Sequence, residues 1–198
     1  MEKHSIAIIV GSLRKDSVNR KIALAISGMT ADRLDCSFVE IGNLALFNQD
    51  IEASPPAEWL AFKAAITAAD GILFVTPEYN RSIPGALKNA IDIGSRPYGQ
   101  SAWEKKPAAI VTVAPGGIGG FGCNHQLRQA CVFLDMPTMQ QPEAYLGGVT
   151  DKSFADDGSI ADPALAKIVD RIASAFADWV GLIKSGRAAL ASDPTHQA

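Results

Sequence analysis

The segment GSLRKDSVN, residues 11–19, has the composition of a phosphate-binding loop. It follows an apolar run and leads into a helical pattern, and the amides and dipole at a helix N-terminus favour an anion. Side-chain donors that suit a phosphate dianion are also present, on Ser12, Arg14, Ser17 and Asn19. The segment matches neither G-x-x-x-x-G-K-S/T nor G-x-G-x-x-G, which argues against nucleoside-triphosphate and dinucleotide motifs. A Ser-capped helix with a solvated basic turn is the alternative interpretation.

The segment TPEYNRSIPG, residues 76–85, could contact a flat heteroaromatic ring. Pro77 stiffens the exit from an apolar run, and Glu78, Tyr79 and Asn80 then present side chains and backbone amides. Such a ring needs stacking or edge contacts and amide donors at its carbonyl and nitrogen edges, which Tyr79 and this backbone can provide. A turn with a half-buried tyrosine and a surface glutamate is the alternative.

The segment APGGIGGFG, residues 114–122, contains the consecutive glycine pairs 116–117 and 119–120. Glycine permits positive φ and close approach of the backbone to a ligand. Such a loop can point successive N–H groups at an oxygen-rich ring edge. Taken alone, it could equally be a flexible connection between a strand and a helix.

Alternating strand and helix patterns must position these three loops. Short β-branched runs predict strands over residues 5–12, 34–41, 72–76, 108–114 and 138–140. Helical spacing of apolar residues predicts a first helix after the N-cap Ser17 and further helices near 57–69, 84–94, 122–134 and 163–184. This order predicts an α/β fold with right-handed crossovers and a parallel sheet. Ligands of such sheets bind at the carboxyl ends of the strands, where the three loops should meet.

Composition narrows the functional classes. The 198 residues are 47% hydrophobic and 20% charged, with a net charge of −3, which gives no sign of nucleic-acid or membrane binding. Cys36, Cys123 and Cys131 form no metal or disulfide pattern and are interpreted as thiols in a reducing compartment, so a cytoplasmic protein without a metal site is expected. We expect one domain over residues 1–185 and a disordered tail over 186–198.

Three motifs resemble those of the NAD(P)H-dependent FMN reductases, most closely the soluble quinone and chromate reductase branch, which includes some azoreductases. They are GSLRKDSVNRKIA (11–23), TPEYNRSIPGALKNAID (76–92) and PGGIGGFGCNHQLRQACVFLDM (115–136), in the same order and at similar spacing. The resemblance implies a flavodoxin-like three-layer sandwich with strand order 2-1-3-4-5 and non-covalent FMN.

The same resemblance implies roles for individual residues. The FMN phosphate would be held by Ser12, Arg14, Ser17 and Asn19. The isoalloxazine would be lined by Pro77, Glu78, Tyr79 and Asn80, with Ser82 close by. Gly116 and Gly117 would approach the pyrimidine edge.

The expected activity is a ping-pong reaction without a catalytic residue from the protein. NADPH or NADH would stack on the exposed flavin face, pass a hydride to N5 and leave. An acceptor such as a quinone, a flavin, an azo compound or chromate would then occupy the same face and take two electrons. The alternatives are a flavodoxin-like electron carrier and a receiver-type signalling domain. Arg14 and Lys15 in the phosphate loop argue against the carrier, and Gly11-Ser12 stand where a receiver needs an acidic pair.

The resemblance also implies a homodimer, with the helix near 84–94 as the expected contact through Ala86, Leu87 and Ala90. Relatives in the chromate reductase branch often have an Arg and a Tyr where this chain has Gly122 and His125. Those side chains join a network between subunits with a Glu that corresponds to Glu143. A homotetramer is the alternative assembly, and the missing arginine argues against one built through that network.

Overall fold

The computed structural model describes residues 3–192, in which five parallel strands form one sheet with the order β2-β1-β3-β4-β5. This confirms the predicted flavodoxin-like topology. The strands are β1 (His4–Val10), β2 (Leu34–Phe38), β3 (Gly71–Thr76), β4 (Ala108–Ala114) and β5 (Ala144–Gly147). The helices are α1 (Val18–Met29), α2 (Ala57–Ala68), α3 (Gly85–Gly94), α4 (Phe121–Phe133) and α5 (Pro163–Ser192).

The central strands are apolar on both sides because helices cover both faces of the sheet. On one face, Ile8 and Val75 belong to a buried cluster with residues of α1 and α5. On the other, Ile9 and Phe74 belong to a second cluster with residues of α2, α3 and α4. Full burial of one such side chain contributes about 1.5–3 kcal/mol. The sheet is therefore a firm base for the loops at its carboxyl edge.

The strand register brings the three predicted loops side by side. Val10 pairs with Val75, and Thr76 pairs with Thr112, so β1, β3 and β4 reach the same edge. The amide of Gly11 donates to Val75 O at 2.9 Å, and this hydrogen bond holds the start of the first loop next to β3. A Cβ at Gly11 would overlap the Thr76 hydroxyl, so this close approach requires glycine.

The fifth strand was predicted at the wrong place. Thr138 makes only an isolated bridge to Ala108, whereas the strand of the sheet is Ala144–Gly147, paired with the end of β4. β1 and β2 also end earlier than predicted, at Val10 and Phe38.

The last helix is longer than predicted. It continues to Ser192, so residues 186–192 are helical rather than disordered, and residues 193–198 lie outside the described part. Residues 188–191 are three alanines and one leucine, which favour helix even without an apolar stripe.

Helix α3 does not offer the apolar contact surface expected for a dimer. Leu87 and Ala90 are fully buried in the chain's own core, so they cannot face a partner, and Ala86 is partly buried against the same core. Within residues 3–192, no helix is long and apolar enough to cross a membrane. The same residues contain no group of three or more His, Cys, Asp or Glu that could hold a metal ion.

Candidate functional site

The first loop leads into α1 through a polar turn that is exposed at residues 13–16 and buried at Ser17. Ser17 is the N-cap: its hydroxyl accepts a hydrogen bond from Arg20 N at 3.4 Å, as the sequence predicts. Ser12 Oγ accepts from the amide of Arg14, also at 3.4 Å. Among the described residues, the exposed Arg14 guanidinium contacts no acidic side chain. The loop thus combines an available cation with the N-terminal end of a twelve-residue helix.

Asn19, in the first turn of α1, has a buried polar atom that the chain itself leaves unsatisfied within residues 3–192. Asn19 is 4% exposed, and its Oδ1 is buried with no hydrogen-bond partner in the described part of the chain. A buried polar atom without a partner costs about 1–3 kcal/mol, so a partner from a ligand is expected. Rotation of the amide by 180° exchanges its oxygen and nitrogen, so this group can accept from a ribityl hydroxyl or donate to a phosphate oxygen. Asn19 therefore fits the ribityl-phosphate part of FMN.

The second loop contains a tight turn closed on itself. Tyr79 N donates to Ser82 O at 3.1 Å, and Ser82 N donates to Tyr79 O at 2.9 Å. The two central residues, Asn80 and Arg81, have φ of 51° and 63°. Positive φ at both positions defines a type I′ turn, which is favourable for asparagine but strained for arginine. The turn leaves Tyr79 half exposed, with its ring available at the carboxyl edge of the sheet.

The Glu78 side chain points into the protein rather than into solvent. Its Oε2 accepts a hydrogen bond from Cys123 N at 2.8 Å, in the first turn of α4. Its Oε1 lies 3.6 Å from Nη1 of Arg81. A carboxylate at this position is stabilised by the helix dipole. Any contact of Glu78 with a flavin would therefore come from its backbone, and its side chain instead links the second loop to α4.

The glycines of the third loop fall into two groups. Gly119 and Gly120 have φ of 67° and 81°, and an added Cβ would lie 2.6 Å from Tyr145 C and 2.9 Å from Thr112 Cβ, respectively. The fold itself requires these glycines. Gly116 and Gly117 have neither constraint, since a Cβ at either would meet no atom within 4 Å. Glycine that the chain's own packing does not need fits a backbone approached closely by a ligand.

A cleft of about 440 Å³ joins the first loop to the second. Its lining includes Leu13 and Arg14 on one side and Tyr79 and Pro84 on the other. Clefts of this size are typical of small-molecule sites. The structure thus brings the predicted phosphate-loop and ring-loop residues to one edge of the sheet, with the glycine loop alongside at the end of β4.

Sequence reasoning missed Gln126, which connects the second loop to α4. From α4, its Nε2 donates to Arg81 O at 3.0 Å, and its Oε1 accepts from Ser82 Oγ at 2.6 Å. The hydroxyl of Ser82 therefore donates its hydrogen bond to the protein itself. The partners are more than forty residues apart in sequence, and no local pattern marks this contact.

The positions that depart from the chromate reductase pattern have partners within the chain. His125 Nε2 lies 3.0 Å from the hydroxyl of Tyr145. The pKa of Tyr145 is raised by burial and by its hydrogen bond with the Glu143 carboxylate and the charge of that group. A Cβ at Gly122 would lie 2.9 Å from Glu78 Oε2 and 3.0 Å from Arg81 O. Glycine at this position leaves room for the carboxylate against the start of α4.

Cys123 lies beside the site but is not a reactive thiol. It is fully buried, and burial raises its pKa to about 12, although a hydrogen bond with Thr76 lowers it. A thiol with so high a pKa is neutral at physiological pH and a poor nucleophile. We assign it to packing beneath the loops.

The chain is similar to known flavin-dependent reductases. Residues 4–151 match the family model of NADPH-dependent FMN reductases. A quinone reductase of Pseudomonas putida is 58% identical over 90% of this chain and 96% of its own. A 2-hydroxy-1,4-benzoquinone reductase of a Burkholderia species is 44% identical over 88% of this chain and 95% of its own. The structure of FerB, a flavoenzyme NAD(P)H:(acceptor) oxidoreductase from Paracoccus denitrificans, superposes with a TM-score of 0.85 at 39% identity, over 90% and 97% of the two chains.

The family model matches most of the chain, and the two relatives named for quinone reduction are well above 30% identical to it. The protein is therefore an enzyme and not an electron carrier without turnover. It is an oxidoreductase with FMN as its cofactor and NAD(P)H as its electron donor. The chain belongs to the family of NADPH-dependent FMN reductases.

Proposed function

We propose that this flavoenzyme reduces quinones and that its FMN binds across the three loops at the carboxyl edge of the sheet. The phosphate would contact the first loop, through Ser12, Arg14, Ser17 and Asn19. The ring would lie along the second loop, beside Pro77, Glu78, Tyr79, Asn80 and Ser82. The pyrimidine edge would approach Gly116 and Gly117. The proposal rests on the free space at these two glycines, where an added Cβ would meet no atom within 4 Å. Asn19, whose buried Oδ1 has no partner within residues 3–192, supports it.

The protein's own contribution is binding and orientation. Bound FMN supplies the redox chemistry, since it accepts a hydride from NAD(P)H and passes two electrons to an acceptor. Arg14 and the start of α1 neutralise the phosphate. The closed turn holds Tyr79 beside the ring. We assign no base role to Glu78, whose carboxylate accepts from Cys123 N and faces Arg81.

A quinone is the acceptor best supported. Both curated relatives described above are named for quinone reduction, and they cover nearly the whole chain. The cleft beside the second loop has apolar and aromatic walls, from Leu13 and Tyr79, that suit a flat apolar ring. Flavins, azo compounds and chromate remain secondary candidates on the same open side of the site.

The nicotinamide and the quinone are proposed to occupy this open side in turn, which is a ping-pong reaction. Steady-state rates with NADPH and 1,4-benzoquinone test it, with NADPH varied at several fixed quinone concentrations. Parallel double-reciprocal lines are expected. Intersecting lines would show a ternary complex and a separate quinone pocket, and a rate no faster than the reaction without protein would refute quinone reduction.

We further propose that residues 3–192 form one FMN-binding domain, which extends past the expected boundary at residue 185 to the end of α5, and that it assembles as a homodimer in the cytoplasm. Exposed apolar side chains at the rim of the site, Leu13, Ile118 and Phe121, support a partner subunit close to the loops. A tetramer through the chromate reductase network is not proposed, because His125 already pairs with Tyr145 of its own chain. The free cysteines are compatible with a reducing compartment. A monomeric mass in light scattering at micromolar concentration would contradict the dimer.

A further inference from the structure

We propose that Gln126 is a positioning residue of the flavin site, which fixes the second loop relative to the third and thereby sets the space available to the isoalloxazine. This inference rests on the proposed placement of FMN. It concerns a residue outside all three loops, whose side chain contacts the loop without entering the cleft between Leu13 and Tyr79.

The first step of the argument is that the Tyr79–Ser82 turn needs external support. A left-handed conformation costs an L-residue about 1–2 kcal/mol, and two consecutive residues of this turn adopt it. Asparagine tolerates this conformation, whereas the contact of the Arg81 side chain with Glu78 Oε1, at 3.6 Å, is too long for a hydrogen bond. Such strained backbone persists only where the surroundings fix it, and it concentrates at functional sites.

The second step is that Gln126 satisfies the turn at two points with opposite polarity. Its amide nitrogen donates to Arg81 O, the carbonyl of the strained residue, at 3.0 Å. Its amide oxygen accepts from Ser82 Oγ at 2.6 Å. A side chain that must donate and accept at once specifies both the position and the orientation of the turn. Glutamate or methionine at this position could not make both contacts.

The third step is that this attachment spans the site. Gln126 belongs to α4, which begins directly after the glycine loop. Glu78 makes a second attachment one helical turn earlier, at Cys123 N. Two attachment points on one rigid helix hold the Tyr79–Ser82 turn at a fixed distance from Gly116 and Gly117. Loss of Gln126 would leave the Glu78 contact as a pivot about which the turn can move.

The test compares Gln126→Met, which keeps the volume and helix propensity but loses both bonds, with Gln129→Met as the matched control. Gln129 is exposed on the same helix, and within residues 3–192 it has no side-chain hydrogen bond. Dissociation constants of FMN and of riboflavin are measured by fluorescence quenching. The rate of flavin reduction by NADPH is then measured anaerobically at saturating FMN.

Gln126→Met is expected to weaken FMN and riboflavin equally, by about threefold to tenfold, as the loss of one or two exposed hydrogen bonds implies. The FMN-to-riboflavin affinity ratio should stay at the wild-type value because the phosphate loop is untouched. Flavin reduction should slow at full occupancy, and the visible circular dichroism of the bound flavin should change.

Wild-type affinity and reduction rate in Gln126→Met would overturn the inference, even if its melting temperature fell, since that would show a purely structural contact. A change in the affinity ratio would overturn it as well, because the effect would then act through the phosphate. Failure of the wild-type protein to bind either flavin would instead refute the proposed function, and this inference with it.

Discussion

The fold requires Gly119 and Gly120 but not Gly117, and this difference predicts the effect of Gly117→Ala. The new methyl group would meet no atom of the chain within 4 Å, and Gly117 does not have a positive φ. The apoprotein should therefore keep its free energy of unfolding, or gain up to about 1 kcal/mol from the stiffer unfolded chain. If the pyrimidine edge of FMN rests on this backbone, the methyl group overpacks the contact at a cost of about 1–3 kcal/mol. FMN should then bind about tenfold to a hundredfold more weakly.

Two further variants control for backbone effects. Gly120→Ala places a Cβ 2.9 Å from Thr112 Cβ at a φ of 81°, so it should destabilise the apoprotein by at least about 2 kcal/mol. Gly181→Ala, in open space on α5, should be neutral or stabilising and leave FMN binding unchanged. Urea unfolding of the apoproteins and FMN titration by fluorescence measure the two quantities separately. Wild-type FMN affinity in Gly117→Ala would refute the placement of the ring edge on this loop.

Three other outcomes are expected. The Arg14→Ala/Ser17→Ala double variant should lose at least about tenfold in FMN affinity per side chain, whereas its affinity for riboflavin, which has no phosphate, should stay nearly constant. Full FMN occupancy after dialysis would contradict the phosphate assignment. Tyr79→Ala should slow flavin reduction by about tenfold to a hundredfold at saturating FMN, because it removes orientation; an unchanged rate in stopped-flow measurements would mean that Tyr79 only packs. Because its pKa is about 12, Cys123 should be thiolate in about one molecule in ten thousand at pH 8, and iodoacetamide should label it only after denaturation; labelling in the native protein would contradict its burial.

Much of the fold follows from local patterns in the sequence. β3 and β4 are short, uninterrupted apolar runs, because both of their faces are buried, and their positions were predicted within one residue. β5 was misplaced because it is a four-residue edge strand with little apolar pattern of its own. The end of α5 was misjudged because loss of amphipathicity was taken as loss of helix, although alanine-rich segments stay helical without a buried face.

The site was less predictable in its polar contacts than in its location. The three loops were identified from composition, and the strand register explains why they meet. Two hydrogen bonds could not be predicted from the sequence. The Glu78 carboxylate accepts one from Cys123 N, and the Ser82 hydroxyl donates the other to Gln126 Oε1. Both contacts join segments more than forty residues apart, so their geometry is decided by the packing of α4 against the sheet.

The most direct test of FMN-dependent NAD(P)H oxidation is an anaerobic titration of the FMN-loaded protein with NADPH, and separately with NADH, followed by absorption. Flavin bands should bleach in proportion to the added nicotinamide, to an end point of one equivalent per bound FMN. Addition of 1,4-benzoquinone to the reduced protein should then restore the bands without oxygen. Flavin bands that respond to neither nicotinamide would contradict the enzyme, and bleached bands that quinone does not restore would contradict the acceptor.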